Sequence, residues 1–263
     1  DSPLHLRSTP RPARVLHLAG SGTNIPLTRA LADAFVARHP DAHIVVFESI
    51  GSGGGVLAAY DDVVDLGLVS RPLREHEHAL GVTAIPYARV PVAVAVNLSV
   101  PDVAITTEEL VDIYAGRKTR WSDGSPIVVL QRERGDSGHL AVAAALPAFA
   151  AADEAAYRDR RFRVILHDRA MQEALAITPG SIGLLDVGAI SLGRLPLRAL
   201  RLDGYAPGEP SVQSGRYPYA KDLAFVTVEE PSGLAAEFIR FVHGEEGRAL
   251  MQAHGYIPLP EVQ

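Results

Sequence analysis

The stretch Gly20-Ser21-Gly22-Thr23-Asn24-Ile25-Pro26 decides how this chain folds. It follows a short apolar run, Val15 to Leu18, that predicts a strand. Pro26 suits the first turn of a helix and Asn24 suits its N-cap. Apolar residues then recur at helical spacing, at Leu27, Leu31, Ala34 and Phe35. The stretch therefore predicts a strand, a glycine-rich turn and a helix in succession.

The same order of strand, small polar turn and helix recurs along the chain. Ile44 to Phe47 is predicted as a strand, Gly51 to Gly55 as a turn and Val56 to Tyr60 as a helix. A third strand, Val63 to Val69, ends in Ser70-Arg71-Pro72. Strands that alternate with helices in this way predict an α/β fold with much parallel pairing.

The second half of the chain indicates a second lobe. Val92 to Asn97 is predicted as a buried strand that crosses into it, and Lys221 to Val228 as a strand that returns. Because the chain has 263 residues, it is long enough for two cores. We expect a flexible segment at 1–14, a discontinuous first lobe at 15–95 plus 223–263, and a second lobe at 96–222.

Composition excludes several classes of site. Cysteine is absent, so disulfides, thiolate metal sites and cysteine nucleophiles are excluded together. The formal net charge of −6 argues against a broad nucleic-acid surface, which would need a basic excess. No apolar run approaches the roughly 18–20 residues that span a bilayer. We expect a globular protein with no cofactor and no nucleic-acid partner.

Four turns share one chemical design. Each follows a strand, is built from small and polar residues, and opens a helix or a further turn. Glycine lets backbone N–H groups approach a ligand, and helix N-termini direct unpaired N–H groups and positive dipole ends outward. Arginine adds a planar fork that fits oxyanions. Together the turns predict a small-anion site at Gly20–Asn24, Gly51–Gly55, Ser70-Arg71 and Arg132–His139.

Several motifs resemble one known family. They are Gly20 to Pro26, Ile50 to Gly55, Leu110 to Gly124 with Trp121-Ser122-Asp123, Arg132 to His139, Ser181-Ile182-Gly183 and Tyr217-Pro218. The chain is similar to the periplasmic phosphate-binding proteins of ABC importers and their oxyanion-sensing relatives. The resemblance implies a two-lobed type II periplasmic-binding-protein fold that closes on a tetrahedral oxyanion, phosphate first. It also implies a periplasmic or extracellular monomer that is not an enzyme and meets a membrane permease or a sensor kinase.

The resemblance also assigns roles to individual residues. It implies that Arg132 is the charged clamp on the anion, with Arg134 or Arg71 as substitutes. It implies oxyanion donors at Thr23 or Asn24, Ser52, Ser137, Gly138 and His139. Neighbouring residues of the same turns complete the predicted ligand-binding set, namely Gly22, Gly53, Ser70, Arg71 and Asp136.

The chain departs from the family pattern at two places. Phosphate importers usually carry an aspartate, which accepts the ligand's proton, where this chain has Ser70. The spacing from Arg132 to Ser137 is one residue longer, and His139 replaces a threonine. We expect Ser70 to remove the demand for a protonated ligand and His139 to strengthen binding as pH falls. In the alternative, His139 caps the following helix without touching ligand.

Other functions fit parts of the same sequence. A sensor of arsenate would need the same pocket; arsenite capture by thiolates is excluded because cysteine is absent. Asp136-Ser137-Gly138-His139 contains the residue types of a hydrolase, but neighbours in one turn rarely form a relay, so a Ser137/His139 hydrolase is the weaker alternative. A metal site at His76-Glu77-His78 is also the weaker interpretation. Residues two apart on a helix face different sides, so this segment is predicted as a solvated charged turn.

Overall fold

A computed structural model describes residues 14–262. The strands run β1 Arg14–Gly20, β2 Ala42–Val46, β3 Leu66–Val69, β4 Thr83–Asn97, β5 Ala104–Ile105, β6 Val128–Arg132, β7 Arg163–Ile165, β8 Ser181–Asp186, β9 Leu197–Ala199, β10 Arg201–Leu202, β11 Ala220–Thr227 and β12 Ile257–Pro258. The helices run α1 Ile25–Arg38, α2 Gly51–Tyr60, α3 Glu75–His78, α4 Thr107–Tyr114, α5 Ser137–Ala145, α6 Pro147–Arg158, α7 Asp168–Ile177, α8 Val187–Gly193, α9 Glu209–Gln213, α10 Gly233–His243 and α11 Glu245–Ala253. Across this part of the chain, no helix combines the length and apolar character needed to cross a membrane.

The first strand–turn–helix unit forms as its sequence predicts. β1 lies between β2 and β3 and pairs with both in parallel. Pro26 lies in the first turn of α1, and Leu27, Leu31 and Phe35 on that helix are buried. This buried face packs α1 onto the sheet and leaves the turn at residues 21–24 at the carboxyl end of β1.

One long strand joins the two halves of the molecule. The first part of β4, Thr83 to Pro91, pairs antiparallel with β11. Its second part, from Val92, pairs antiparallel with β8 and β9. The main sheet order is β2-β1-β3-β11-β4-β8-β6-β7, so β4 and β11 stand at the middle of a mixed sheet. This is the two-lobed α/β architecture that the sequence indicates.

The apolar cores follow the same division. One large buried cluster includes Leu16 and Val90 and takes in Leu223 and Phe225 from the returning strand. A second cluster begins at Val92 and includes other buried residues up to Tyr219. The core therefore changes between residues 90 and 92 and again between 219 and 223. The first change lies a few residues before the predicted boundary at 95, because the apolar residues of β4 serve one core and then the other.

Some predicted element bounds are wrong. Arg14, assigned to the N-terminal segment, begins β1, where it forms ion pairs with Asp41 and Glu237; residues 1–13 lie outside the described range. The predicted turn at Gly51–Gly55 is already helix, because α2 begins at Gly51. The predicted strand at 63–69 begins only at Leu66.

Gly55 of α2 serves close packing rather than a turn. A Cβ atom on Gly55 would lie 2.7 Å from the carbonyl oxygen of Leu68 and 2.9 Å from the Cα of Gly20. A Cβ on Gly67 would lie 2.4 Å from the carbonyl oxygen of Gly55. Because Gly55 and Gly67 have no side chains, α2 can lie directly on β1 and β3. The start of α2 is thereby placed next to the turn after β1.

We predict that Gly55→Ala destabilises the protein by about 1–3 kcal/mol, since the added methyl group overpacks against backbone atoms. On helix propensity alone the same change would stabilise by about 1 kcal/mol, so the sign of the effect is diagnostic. Gly53→Ala is the matched control, because its Cβ would meet only Arg71 Nη2, at 3.6 Å. Urea unfolding followed by circular dichroism measures both; a Gly55→Ala protein as stable as wild type would contradict the packing argument.

Candidate functional site

The four predicted turns meet at one cavity between the lobes. The cavity has a volume of about 390 Å³ and is lined from the first lobe by residues that follow β1 and β3 and begin α2. The turn after β6 and the start of α7 line it from the second lobe. It is lined by the predicted site residues Gly22, Thr23, Ser52, Gly53, Ser70, Arg71, Arg132, Asp136 and Ser137.

Serine hydroxyl groups connect the two lobes beside this cavity. The Ser70 Oγ lies 2.7 Å from the Ser21 Oγ in its own lobe and 2.9 Å from the Ser137 Oγ of the second lobe. The backbone N–H of Ser70 donates to the Ser52 Oγ at 3.1 Å. Ser21, Ser52, Ser70 and Ser137 therefore place four small hydroxyl groups where the lobes meet.

Arg132 is the buried guanidinium of the site. It is the last residue of β6, its side chain is 6% exposed, and three carboxylates surround it. Glu133 accepts from its Nε and Nη2 at 3.0 and 2.8 Å, while Asp168 and Asp136 lie 2.6 and 3.2 Å from its Nη1. Burial opposes the charge on Arg132, but hydrogen bonding to Glu133 and the nearby carboxylates outweigh it and raise its pKa.

Asp136 caps helix α5 and lies near two cations, Arg132 and Lys221. Its carboxylate accepts from the backbone N–H of His139 at 3.1 Å, which caps α5. Burial raises the pKa of Asp136, but the charges of Arg132 and Lys221 outweigh that cost, so its pKa lies below the ordinary value. Asp136 is therefore a helix cap, and it stays ionised near neutral pH.

The His139 side chain is turned away from the cavity. Its Nδ1 lies 2.8 Å from a carboxylate oxygen of Asp153, and its ring packs near Tyr114 and Phe149 inside the second lobe. Its backbone N–H is taken by Asp136. His139 therefore lies in the core of its lobe. This placement disfavours a role for its ring in binding an anion.

Asn24 and Gly138 also lie outside the lining of the cavity. The Asn24 amide donates to the carbonyl oxygen of Val69 at 3.0 Å and to the Tyr87 hydroxyl at 2.9 Å. Asn24 is the N-cap residue of α1, as predicted, but its side chain makes no capping hydrogen bond. Its side chain instead ties the turn after β1 to the end of β3. Gly138 is buried in the first turn of α5.

Arg71 is committed to an ion pair. Its Nη1 and Nη2 donate to the two carboxylate oxygens of Glu77 at 2.7 and 3.1 Å, and the two side chains are only 10% and 4% exposed. The expectation that the segment containing Glu77 is a solvated turn is therefore wrong for this residue. Arg71 therefore lines the cavity while both arms of its guanidinium fork are held by Glu77. Arg134 pairs with Glu154 at an exposed position.

Two residues at the site were not predicted. Asp168, the first residue of α7, lines the cavity; a Cβ atom on Gly22 would lie 2.0 Å from its Oδ2. Lys221 of β11 is buried, and its Nζ donates to the Thr23 Oγ1 at 2.8 Å and to the Ser137 Oγ at 3.1 Å. A signal for Lys221 was present, because the chain has only one other lysine, Lys118, and Lys221 begins an apolar strand.

Comparisons with known proteins agree with this geometry. The family model described as a PBP superfamily domain matches residues 7–246. The phosphate-binding protein PstS of Bacillus subtilis is 28% identical over 94% of this chain and 82% of its own length. The protein SphX of Synechococcus elongatus is 26% identical over 92% of this chain and 76% of its own length.

Solved structures show the same fold. A putative phosphate ABC transporter substrate-binding protein from Clostridium perfringens, solved with bound phosphate, superposes with a TM-score of 0.80 at 23% identity, covering 94% of this chain and all of that one. An ABC-type phosphate transport receptor from Vibrio cholerae gives a TM-score of 0.65 at 20% identity over 93% of this chain and all of that one. Because the family model spans most of the sequence and the fold has two lobes around one cavity, the chain belongs to the periplasmic-binding-protein (PBP) superfamily.

Proposed function

We propose that this protein binds inorganic phosphate between its two lobes and passes it to a membrane permease. The observation that carries the proposal is that hydrogen-bond donors from both lobes line one small cavity, with Arg132 on one side and the hydroxyls of Ser52 and Ser70 on the other. An anion that contacts both sets stabilises the closed arrangement of the lobes by its differential contacts. The names of the Bacillus subtilis and Clostridium perfringens proteins support phosphate as the anion.

Arg132 supplies the charge that such a ligand needs. Arg132 lines the cavity, and its Nη1 donates to a carboxylate oxygen of Asp168 at 2.6 Å. Carboxylate and phosphate oxygens are both acceptors that suit a guanidinium fork. Three carboxylates fix the orientation of this fork, so the guanidinium loses little freedom when an anion arrives. Small hydroxyl groups then set the distance between the anion and the first lobe.

The partners and location follow from the same proposal. A protein that captures phosphate for import acts outside the cytoplasm and docks on a permease in its closed form, and we propose that it does so as a monomer. The alternative, in which the closed form signals to a membrane kinase in response to arsenate, uses the same cavity. The import role and the sensor role differ in the partner that recognises the closed form. A test of binding to the permease and to the kinase therefore distinguishes them.

A hydrolase is disfavoured by the placement of its supposed residues. The Ser137 Oγ is hydrogen-bonded to Ser70 and Lys221, whereas His139 is engaged with Asp153. A Ser–His pair would need the imidazole to accept the serine proton directly. In the described chain these two side chains belong to different sites, which supports a binding role over Ser137/His139 catalysis.

We expect ligand-stripped protein to bind phosphate with a dissociation constant of about 1 μM, near −8 kcal/mol, since a handful of charge-assisted hydrogen bonds supplies that free energy. Arsenate, which has the same shape, is expected to bind comparably. Isothermal titration calorimetry and thermal shift measure both anions, with chloride as the control. Absence of heat and of thermal stabilisation with either anion would refute the proposed function.

Arg132→Ala is expected to weaken phosphate binding by about 2–4 kcal/mol, because it removes the buried partner of a charged ligand. Arg117→Ala is the control: Arg117 pairs with Asp112 at an exposed position and does not line the cavity, so its removal should leave affinity unchanged. Calorimetry on both variants, with circular dichroism to confirm folding, makes the comparison. An Arg132→Ala protein that binds like its parent would move the clamp to another cation.

A further inference from the structure

Lys221 is a buried cation without a direct counter-ion in the described chain. It is 6% exposed, and its hydrogen-bond partners among residues 14–262 are the hydroxyls of Thr23 and Ser137. The nearby carboxylate Asp136 pairs with Arg132 instead. Burying an ammonium group without an ion pair costs several kcal/mol, so a protein retains one where an anion is to be bound.

Carboxylates act on Lys221 only from a greater distance. The charge of Lys221 helps to lower the pKa of Asp136. It also opposes the rise in pKa that burial imposes on Asp186 at the end of β8. Asp136 and Asp186 are thus two carboxylates that lie close enough to Lys221 to interact with its charge. Neither forms a salt bridge with it in the part of the chain that the structure describes, so its charge remains available to a ligand nearby.

The two hydroxyls that accept from Lys221 come from opposite lobes. Thr23 follows β1 in the first lobe, Ser137 begins α5 in the second, and both line the cavity. A hydroxyl that accepts from an ammonium group has its own proton free to donate elsewhere. The Ser52 Oγ also accepts a hydrogen bond, from the backbone N–H of Ser70, so its own proton is likewise free to donate. The cavity is therefore lined by hydroxyls set to donate.

We propose that Lys221 is the positioning cation of this site: it orients Thr23 and Ser137 as donors and makes the cavity select a doubly charged tetrahedral oxyanion over a singly charged one that carries more protons. The inference rests on the proposed function and deepens it. A protonated ligand oxygen needs an acceptor, whereas hydroxyls fixed as donors favour oxygens that carry no proton. The ligand class accordingly includes the phosphate dianion, in which three of the four oxygens carry no proton, and extends to sulfate, which carries two charges without any proton.

One carboxylate opposes this selection and must be tested beside it. Asp168 lines the cavity; its Oδ1 accepts from Arg132, and its Oδ2 lies against Gly22. It is thus placed to accept a proton from a ligand. If Asp168 rather than Lys221 governs the protonation state that is bound, phosphate affinity will rise as pH falls and sulfate will be rejected. Control by Lys221 and control by Asp168 therefore predict opposite results for the wild-type protein.

The test is calorimetry with phosphate and with sulfate on wild type, Lys221→Met and Lys221→Arg. Phosphate gains its second charge as pH rises through neutrality. The pKa values of Glu133 and Asp136 are lowered, so these carboxylates stay ionised over the range. For a site that selects the dianion, affinity should rise by up to about tenfold between about pH 6 and pH 8. Wild type should also bind sulfate with an affinity within about 100-fold of its affinity for phosphate.

Lys221→Met should weaken phosphate binding by about 10- to 100-fold at pH 8, abolish most of the rise with pH and abolish sulfate binding. Lys221→Arg should restore part of the pH dependence. Because Lys221→Met removes a buried charge that has no ion pair, the ligand-free melting temperature should be unchanged or higher. A merely structural lysine would lower it. Lys118→Met, which removes a lysine paired with Glu109 far from the cavity, is the control.

Three results would overturn the inference while leaving phosphate binding intact. They are wild-type rejection of sulfate, phosphate affinity that falls as pH rises, and Lys221→Met binding both anions like wild type at both pH values. Asp168→Asn decides the cause: if it removes the pH dependence and Lys221→Met does not, Asp168 sets the selection. Should wild type bind no phosphate at all, the proposed function itself fails, and that outcome is distinct from these three.

Discussion

A short chain of polar contacts between the lobes is the interaction on which the rest of the site depends. The Ser70 hydroxyl of the first lobe meets the Ser137 hydroxyl of the second at 2.9 Å, and the Lys221 ammonium reaches Thr23 and Ser137 together. Every one of these groups is held by an element that ends or begins at the cavity. The close packing of α2 on the sheet at Gly55 positions the polar groups of the first lobe beside the cavity.

Local charge at this site differs from the charge of the whole molecule. The chain is acidic, with a formal net charge of −6, yet the buried Arg132 lines the cavity and the buried Lys221 donates to Thr23 and Ser137, which also line it. Arg132 is matched by three carboxylates, whereas Lys221 donates to hydroxyls. The first cation is held rigidly, and the second keeps its charge available. An anion pocket needs this kind of local arrangement of donors, and net charge reports mainly on the outer surface.

Much of the fold and of the site was predictable from sequence because the decisive signals are local. Strand, glycine-rich turn and helix follow one another within a few residues, so the turn after β1 and the position of Arg132 at the end of β6 emerge from the pattern. The direction of His139 was not predictable, since it depends on Asp153 in a different helix. Lys221 and Asp168 were missed because they reach the site from distant segments, and only the tertiary structure brings them to Thr23 and Arg132.

The measurement that tests this account most directly is a crystal structure of the protein grown with phosphate. The account predicts one phosphate in the cavity between the lobes, within hydrogen-bond distance of Arg132, Ser52 and Ser137, with the Lys221 ammonium still donating to Thr23 and Ser137. A phosphate bound elsewhere, or a cavity in which Arg132 and Ser137 contact no anion at saturating phosphate, would contradict it.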